Sequence, residues 1–191
     1  MSPGFEMRLY IGLVHYPVYN KNNEKIASAI TTLDLHDIAR LARTYAVKKF
    51  FVITPLDDQQ DLAERVIKHW TRGYGSKYNR HRKEAIELVA IVPSLERAVD
   101  AVAETEGEIP LLMATDASRQ KDRSITFERA RAIIKQEHSV ILLFGTAWGL
   151  DKTFMTMTDH VLEPISGRNE YNHLSVRTAA AIILDRLVGR D

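Results

Sequence analysis

The chain contains 191 residues, of which 45% are hydrophobic and 27% are charged, and its formal net charge is +1. A chain of this length and composition suits one globular domain with a real core, which excludes an intrinsically disordered protein. Cysteine is absent, which excludes disulfide bonds, thiolate metal sites and a cysteine nucleophile.

The N-terminus shows no targeting pattern. Residues 1–6 lack the basic stretch followed by an apolar stretch that marks a secretory signal. No apolar run in the sequence approaches the length that crosses a bilayer. We therefore expect a cytoplasmic protein with no membrane partner, in which residues 1–7 form a tail ahead of the domain.

Apolar segments of strand length alternate with segments of helical periodicity along the whole chain. The predicted strands are residues 8–14, 50–53, 87–92, 110–114, 140–144 and 160–164. The predicted helices are one that begins at Asp34, residues 58–70, one that begins after Ser94, residues 126–137 and residues 174–188. This alternation predicts a single α/β domain with a doubly wound, mainly parallel sheet of the Rossmann-like kind. Because the strands are short and apolar throughout, we expect helices on both faces of the sheet.

The first two predicted helices carry several specific expectations. Asp34 is expected to cap the first helix, and Asp37 places a second carboxylate beside the positive end of the helix dipole. Ile38 lies on the apolar stripe of this helix, whereas Arg40 lies off it. On the second helix, Leu62 is expected to face the core.

A basic segment, residues 68–83, stands out in a chain whose net charge predicts no strong affinity for polyanions. It holds six Lys or Arg residues and no acid, and Trp70, Tyr74 and Tyr78 are interleaved with them. Basic groups neutralise phosphates, and exposed rings stack on unpaired bases. One interpretation is an RNA-binding surface; the alternative is a solvated helix end with a flexible loop. The candidate RNA-binding residues are Arg72, Lys77, Arg80 and Arg82.

Several familiar site motifs are absent from the sequence. There is no G-x-G-x-x-G after the first strand, no P-loop and no G-x-S-x-G, which argues against an ordinary dinucleotide site, a nucleotide triphosphatase and an α/β-hydrolase. The seven histidines show no metal-ligand spacing, so we expect no metal.

The last quarter of the chain is the candidate ligand site. Two predicted strands end in loops rich in glycine and polar residues, and ligands of open α/β sheets bind at the carboxyl ends of the strands. Gly145 and Gly149 let a ligand approach the backbone, although a tight turn explains them equally well. The polar run 167–177 leads into the apolar residues 179–184, which are expected to be buried on most sides. Helix capping needs only one polar residue here, so the surplus predicts a ligand.

This C-terminal pattern resembles the third motif of the SPOUT superfamily of S-adenosylmethionine-dependent RNA methyltransferases. That motif has the form Pro-x-x-Gly, three residues, then Ser-Leu-Asn-Val-Ser and an apolar helix. Here residues 164–167 read Pro-Ile-Ser-Gly, and residues 171–175 read Tyr-Asn-His-Leu-Ser. His173 stands where the ribose-methylating branch has Asn.

The other two motifs of the superfamily are matched in part. The second is a strand that ends in Phe-Gly, a short loop and Gly-Leu; residues 143–145 and 149–150 fit it, but the usual Asn-Glu pair is missing from the loop. In the first motif a helix carries Asn and, six residues later, Arg. Asp34 and Arg40 occupy these two places here. The resemblance covers most of the chain.

The resemblance implies a fold, a cofactor and partners. It is closest to a small SPOUT group that occurs alone or fused to tRNA (guanine-N1)-methyltransferase and shares the run at residues 171–177. The superfamily implies a C-terminal trefoil knot, an obligate homodimer with sites at the interface, S-adenosyl-L-methionine as cofactor and RNA (tRNA or rRNA) as substrate. The implied cofactor-binding residues are Leu143, Phe144, Gly145, Gly149, Glu163, Pro164, Ile165, Asn172, His173, Leu174 and Arg177.

Three functions remain open under this resemblance. Ribose 2′-O methylation is favoured. A ribose hydroxyl needs a base or a charge that lowers its pKa, and the catalytic candidates for this task are Arg40, His173 and Ser175. Methylation of guanine N1 is the second, but that branch takes its Asp base from a C-terminal domain that does not follow here. The third is an RNA-binding module of the same fold without catalysis.

Overall fold

The computed structural model describes residues 7–120, 123–136, 138–169 and 171–190. Residues 1–6 of the expected tail, and Glu137 at the end of a predicted helix, lie outside these ranges. The strands are β1 (Leu9–Val14), β2 (Val18–Tyr19), β3 (Lys25–Ile26), β4 (Lys49–Ile53), β5 (Val89–Val92), β6 (Leu111–Thr115), β7 (Ser124–Ile125), β8 (Val140–Gly145) and β9 (His160–Leu162). The helices are α1 (Thr32–Thr44), α2 (Asp57–Thr71), α3 (Tyr74–Tyr78), α4 (Arg80–Ile86), α5 (Leu95–Glu106), α6 (Phe127–Lys135), α7 (Lys152–Thr156) and α8 (Val176–Val188).

The main sheet has the strand order β5-β4-β1-β8-β6-β9-β7, and every neighbouring pair in it is parallel. The predicted doubly wound parallel sheet is therefore confirmed. Successive residues of β1 enter different cores: Leu9, Ile11 and Leu13 pack with α1, α6 and α8, whereas Tyr10 and Val14 pack with α5 and α7. This alternation places helices on both faces of the sheet.

Two expectations about the early helices are wrong. Thr31 caps α1, because its extended backbone places its hydroxyl to accept a hydrogen bond from the Asp34 amide at 3.1 Å. Asp34 instead lies in the first turn and accepts a hydrogen bond from the Thr31 hydroxyl. Leu62 is 42% exposed, since α2 turns Ala63 into the core.

The basic segment is ordered rather than a flexible loop. It forms the end of α2, then α3 and α4, with Gly73 at the N-cap of α3 and the Asn79 side chain capping α4. Gly75 packs on Trp70, and a Cβ at this position would lie 2.7 Å from the indole ring. The aromatic residues of the segment thus divide into a packed Trp70 and exposed tyrosines, which periodicity alone did not separate.

The last helix, α8, begins after Ser175, which caps it, and not at residue 174. Ala180, Ile183 and Leu184 are buried, but Ile182 is only partly covered. The expectation that residues 179–184 are buried on most sides is therefore met on one face only. None of the helices in the ranges that the structure describes is both long and apolar enough to span a membrane.

Candidate active site

A cleft of about 750 Å³ opens at the carboxyl ends of β6, β8 and β9. These ends meet because β8 lies between β1 and β6, and β9 lies on the other side of β6. The chain segments that contribute to its walls are residues 28–34, 115–117, 144–149, 163–165 and 172–183. The cleft thus lies at the edge of the sheet where the sequence predicts a ligand site.

The cleft combines apolar surfaces with carboxylates. Phe144, Ile165 and Ile183 contribute apolar side chains to its lining. Three residues with carboxylate side chains also line the cleft: Asp34, Asp116 and Glu163. A ligand with an apolar ring and positively charged groups is complementary to such a surface, because opposite charges attract most strongly where water is partly excluded.

The loop after β8 is held in one conformation by a hairpin that the sequence did not predict. The amide of Tyr19 in β2 donates to the carbonyl of Gly149, and the Trp148 amide donates to the carbonyl of Tyr19, both at 3.0 Å. Gly149 has a φ of 97°, which favours glycine. A Cβ at Gly145 would lie 2.8 Å from the backbone nitrogen of Leu150. The turn is thus tight, and it also lines the cleft, so the two interpretations of these glycines are compatible.

A buried histidine supports the same wall of the cleft. Nδ1 of His15 lies 2.9 Å from the hydroxyl of Ser28, which also hydrogen-bonds the hydroxyl of Thr146. The Thr146 hydroxyl donates to the carbonyl of Val14 at 2.9 Å. Every hydroxyl is satisfied if His15 donates from Nδ1 to Ser28 and Ser28 donates to Thr146. Burial lowers the pKa of His15 to about 4, so the ring is neutral near pH 7.

Ser28 and Thr146 both line the cleft, and this network was not predicted from the sequence. The only local signal is a histidine placed directly after a buried strand, at His15. Its direct partner, Ser28, lies 13 residues further along the chain. The partner of Ser28, Thr146, lies another 118 residues further on. Nε2 of His15 is buried without a hydrogen-bond partner among the described residues.

The structure places most of the predicted cofactor residues on the cleft and two of them elsewhere. Those on the cleft are Phe144, Gly145, Gly149, Glu163, Pro164, Ile165, Asn172, His173 and Leu174. Leu143 is not among them: its side chain lies in the core, and its carbonyl accepts a hydrogen bond from the Thr115 hydroxyl at 3.0 Å. Arg177 is not among them either, and its guanidinium pairs with Asp34 and Asp37.

The three catalytic candidates are not brought together in one chain. His173 and Ser175 line the cleft; the His173 ring lies edge-on to Tyr171, and the Ser175 hydroxyl accepts from the Thr178 amide as the cap of α8. Arg40 is exposed on α1 and lines a separate notch of about 270 Å³. The other residues around that notch are Asn79, His81 and Arg82.

The four candidate RNA-binding residues differ in their surroundings. Arg72 and Lys77 are exposed, and neither has an ion-pair partner within the described ranges. Arg80 is also exposed but lies 3.0 Å from the carboxylate of Glu84. Arg82 is partly buried, with its guanidinium 4.5 Å from the centre of the Trp70 ring. In the parts of the chain that the structure covers, no group of three or more His, Asp and Glu side chains is placed to hold a metal ion.

The fold is that of solved methyltransferases. A putative methylase family protein from Neisseria gonorrhoeae superposes with a TM-score of 0.67 at 15% identity, covering 100% of this chain and 85% of that one. The SpoU methyltransferase AviRb from Streptomyces viridochromogenes superposes with a TM-score of 0.62 at 17% identity, covering 97% of this chain and 60% of that one. These superpositions show that the chain shares the fold of both proteins.

Residues 8–189 match a family of proteins described as SAM-dependent RNA methyltransferases, and the chain belongs to this family. This family assignment agrees with the sequence resemblance to S-adenosylmethionine-dependent RNA methyltransferases. A tRNA (guanine-N(1)-)-methyltransferase from Oleidesulfovibrio alaskensis is 42% identical over 181 residues, which are 95% of this chain and 42% of that protein. A protein of Aquifex aeolicus is 39% identical over 184 residues, which are 96% of this chain and 89% of that protein.

The chain spans about two-fifths of the length of the tRNA (guanine-N(1)-)-methyltransferases that it matches, from Oleidesulfovibrio alaskensis and from Nitratidesulfovibrio vulgaris. The remaining part of those proteins has no counterpart in the aligned residues. The activity in their names therefore belongs to the longer proteins and does not identify an atom that this chain would methylate.

Proposed function

We propose that the protein transfers a methyl group from S-adenosyl-L-methionine to a ribose 2′-hydroxyl of a tRNA or rRNA. The observation that carries this proposal is the cleft at the carboxyl ends of β6, β8 and β9, where apolar surfaces and carboxylates lie together. When bound, the cofactor supplies an electrophilic methyl group on a positively charged sulfur. The family assignment supports the cofactor and the RNA, and the cleft supports the place where they meet.

The residues present fit this cofactor. The partly exposed Ile165 and Leu174 offer apolar surface to the adenine ring, and residues of the three loops border the same space. Asp116 offers a carboxylate to the positive groups of the cofactor, whereas the carboxylate of Asp34 is paired with Arg177. The Asn172 amide donates to the carbonyl of Ala117 at 2.8 Å, which joins two of these loops. The protein thus contributes alignment, which is the main requirement of an in-line displacement.

A proton acceptor is needed for a ribose hydroxyl, because this group is a poor nucleophile at neutral pH. Histidine is the side chain most often used as a proton acceptor in catalysis, and His173 lines the cleft. Ser175 lies two residues away and is positioned to hold the acceptor nucleotide. We assign proton removal to His173 and nucleotide positioning to Ser175.

Arg40 is assigned to the cleft of a partner subunit. It does not line the cleft of its own chain, whereas the SPOUT resemblance implies a homodimer with sites at the interface. The partly exposed Ile182 on α8 and the 42% exposed Leu174 offer apolar surface beside the cleft for such an interface. In this arrangement Arg40 stabilises the developing oxyanion or orients the adjacent phosphate.

Guanine N1 methylation is the second candidate. The names of the two longer relatives favour it. Asp34 favours it as well, because this residue lines the cleft and its carboxylate can accept the N1 proton of guanine. An RNA-binding module without turnover is the third possibility. The three functions differ in products that mass spectrometry separates.

The decisive experiment has two parts. Isothermal titration with S-adenosyl-L-methionine should show one site per chain. Incubation with RNA from cells that lack this protein, followed by nucleoside mass spectrometry, should yield a 2′-O-methylated nucleoside. A 1-methylguanosine product would select the second candidate, and cofactor binding without any product would select the third. If the cofactor does not bind, the proposal fails.

The assignment of Arg40 across an interface is tested by mixing two inactive variants. Arg40→Ala removes the guanidinium, and Gly145→Ala distorts the cleft. If Arg40 serves the partner's cleft, a mixed dimer has one complete site, so equal mixing restores roughly a quarter of wild-type activity. An Arg40 that acts within its own chain predicts no restoration. Arg43→Ala on the same helix is the matched control and should leave activity unchanged.

A further inference from the structure

Two exposed tyrosines form a stacked pair outside the cleft. Tyr74 and Tyr78 on α3 are each 76% exposed, with ring centroids 6.2 Å apart and an angle of 23° between the ring planes. Large aromatic side chains are seldom left this exposed without a partner, and two together form a flat apolar surface in water. The pair contributes nothing to the two core clusters.

The helix that carries the pair is held firmly. The Ser76 hydroxyl donates to the carbonyl of Gly73 at 2.7 Å, and Gly75 packs against the ring of Trp70. Trp70 is itself packed against the core and is covered by Arg82. The two rings are therefore presented on a rigid base, so that little ordering is needed when a flat ligand stacks on them.

The notch beside Arg40 is formed largely by residues that follow α3 directly in the chain. These are Asn79, His81 and Arg82. Its electrostatic character is positive, because Arg40 and Arg82 both line it. Glu84 on α4 is engaged by Arg80 and Arg43. A notch with two guanidinium groups suits a phosphate, which guanidinium binds with two parallel hydrogen bonds.

We propose that Tyr74, Tyr78 and the adjacent notch bind an unpaired segment of the RNA substrate. A base stacks on the tyrosine pair, and a phosphate of the same strand occupies the notch. Bases inside a duplex have no free face, so the pair selects a single-stranded loop, bulge or end. An acidic peptide would use the notch but would have no ring for the stack. The inference rests on the proposed RNA methylation and adds the class of RNA that is accepted.

The test compares two RNAs and two double variants. A fluorescently labelled single-stranded 12-mer RNA and the same 12-mer in a duplex are titrated with the protein without cofactor, and the anisotropy is recorded. Tyr74→Ala with Tyr78→Ala should weaken binding of the single strand by about tenfold or more, because the stack is lost. Tyr74→Phe with Tyr78→Phe keeps both rings and should bind within about twofold of the wild type. Duplex binding should be weaker throughout and should not respond to the alanine pair.

The notch is tested through salt. Arg40→Gln should lower the slope of log affinity against log salt concentration for the single strand by about 0.7, the value of one released phosphate contact. An unchanged slope would remove the phosphate from the notch. Polyglutamate is included as a competitor for the RNA. The inference fails if polyglutamate displaces the RNA at equal charge concentration and does so equally well from the Tyr74→Ala, Tyr78→Ala variant. The surface would then be a site for acidic peptides.

Failure of this inference and failure of the proposed function are distinguishable. Cofactor affinity is measured by calorimetry on the alanine pair, and it should equal that of the wild type. If the wild type binds cofactor and methylates RNA but the alanine pair leaves single-strand affinity unchanged, the inference alone is overturned. If the stack matters for RNA binding but no cofactor binds, the proposed function alone is overturned.

Discussion

The guanidinium of Arg177, at the start of α8, lies 3.3 Å from the carboxylate of Asp34 in the first turn of α1. The same guanidinium lies 3.2 Å from Asp37 one turn later. Asp34 is mostly buried and lines the cleft, so Arg177 balances a negative charge on the cleft wall. One side chain thereby joins α1 to the C-terminal segment that borders the ligand site.

Loss of Arg177 should loosen this junction. Arg177→Ala is expected to lower the free energy of unfolding by about 1 kcal/mol, since two partly exposed ion pairs disappear together. Cofactor affinity should fall by roughly fivefold, because the cleft wall must then be ordered on binding. Thermal unfolding and calorimetry measure the two effects. Arg43→Ala removes an exposed ion pair with Glu84 and serves as the control. It should change the free energy of unfolding and the cofactor affinity by no more than about half as much as Arg177→Ala does. Equal effects of the two variants would contradict the role of Arg177.

Two glycines beside the cleft should respond differently to alanine. Gly145→Ala brings a Cβ to 2.8 Å from the Leu150 backbone nitrogen, so the loop after β8 must move. We expect cofactor affinity to fall by about tenfold or more and stability to fall by about 1–3 kcal/mol. Gly167→Ala meets no atom within 4 Å and should leave both quantities near wild type. The prediction is wrong if calorimetry gives the two variants the same affinity.

Stability should depend on pH through His15. Its pKa in the folded protein is about 4, below the value of 6.5 for a free histidine. Between these two pH values the unfolded chain binds a proton that the folded protein excludes, so stability falls as the pH is lowered from 6.5 to 4. The loss approaches about 3 kcal/mol at the lower end. Urea unfolding over this range measures it.

The control for this pH dependence is a comparison of slopes. His15→Gln removes the titrating group, so its stability should change less steeply with pH than that of the wild type, whatever its absolute value. His81→Gln, on the exposed surface, should keep the wild-type slope. An unchanged slope in His15→Gln would show that the acid sensitivity arises elsewhere.

The exposed, unpaired cations of the basic segment should add to RNA binding beside the notch. Arg80 is engaged by Glu84 and Arg82 by Trp70, whereas Arg72 and Lys77 are exposed and have no ion-pair partner among the described residues. Arg72→Ala with Lys77→Ala should reduce the salt slope for a single-stranded RNA by about 1.4. Arg97→Ala with Arg131→Ala removes the same charge on α5 and α6, and should leave the slope unchanged. A common reduction in both pairs would indicate an effect of net charge alone.

The sequence by itself determined the architecture, and it pointed to the edge of the sheet at which the cleft lies. Buried strands such as β1 and β8 show their apolar runs locally, and α5 and α6 show their caps and periodicity within a few residues. The glycine and polar segments after β8 and β9 were predicted to border a ligand, and they line the cleft. These features depend on neighbours along the chain, which is why a linear pattern records them.

Only the tertiary structure decided which side chains meet. Ser28 reaches Thr146 across 118 residues, and Arg177 reaches Asp37 across 140. No spacing in the sequence encodes such contacts, because they depend on how distant segments pack. The same packing placed Arg40 in a notch outside its own cleft and separated the covered Trp70 from the exposed Tyr74 and Tyr78. Residue type and period predict that a side chain is buried or polar, but its partner follows from the fold.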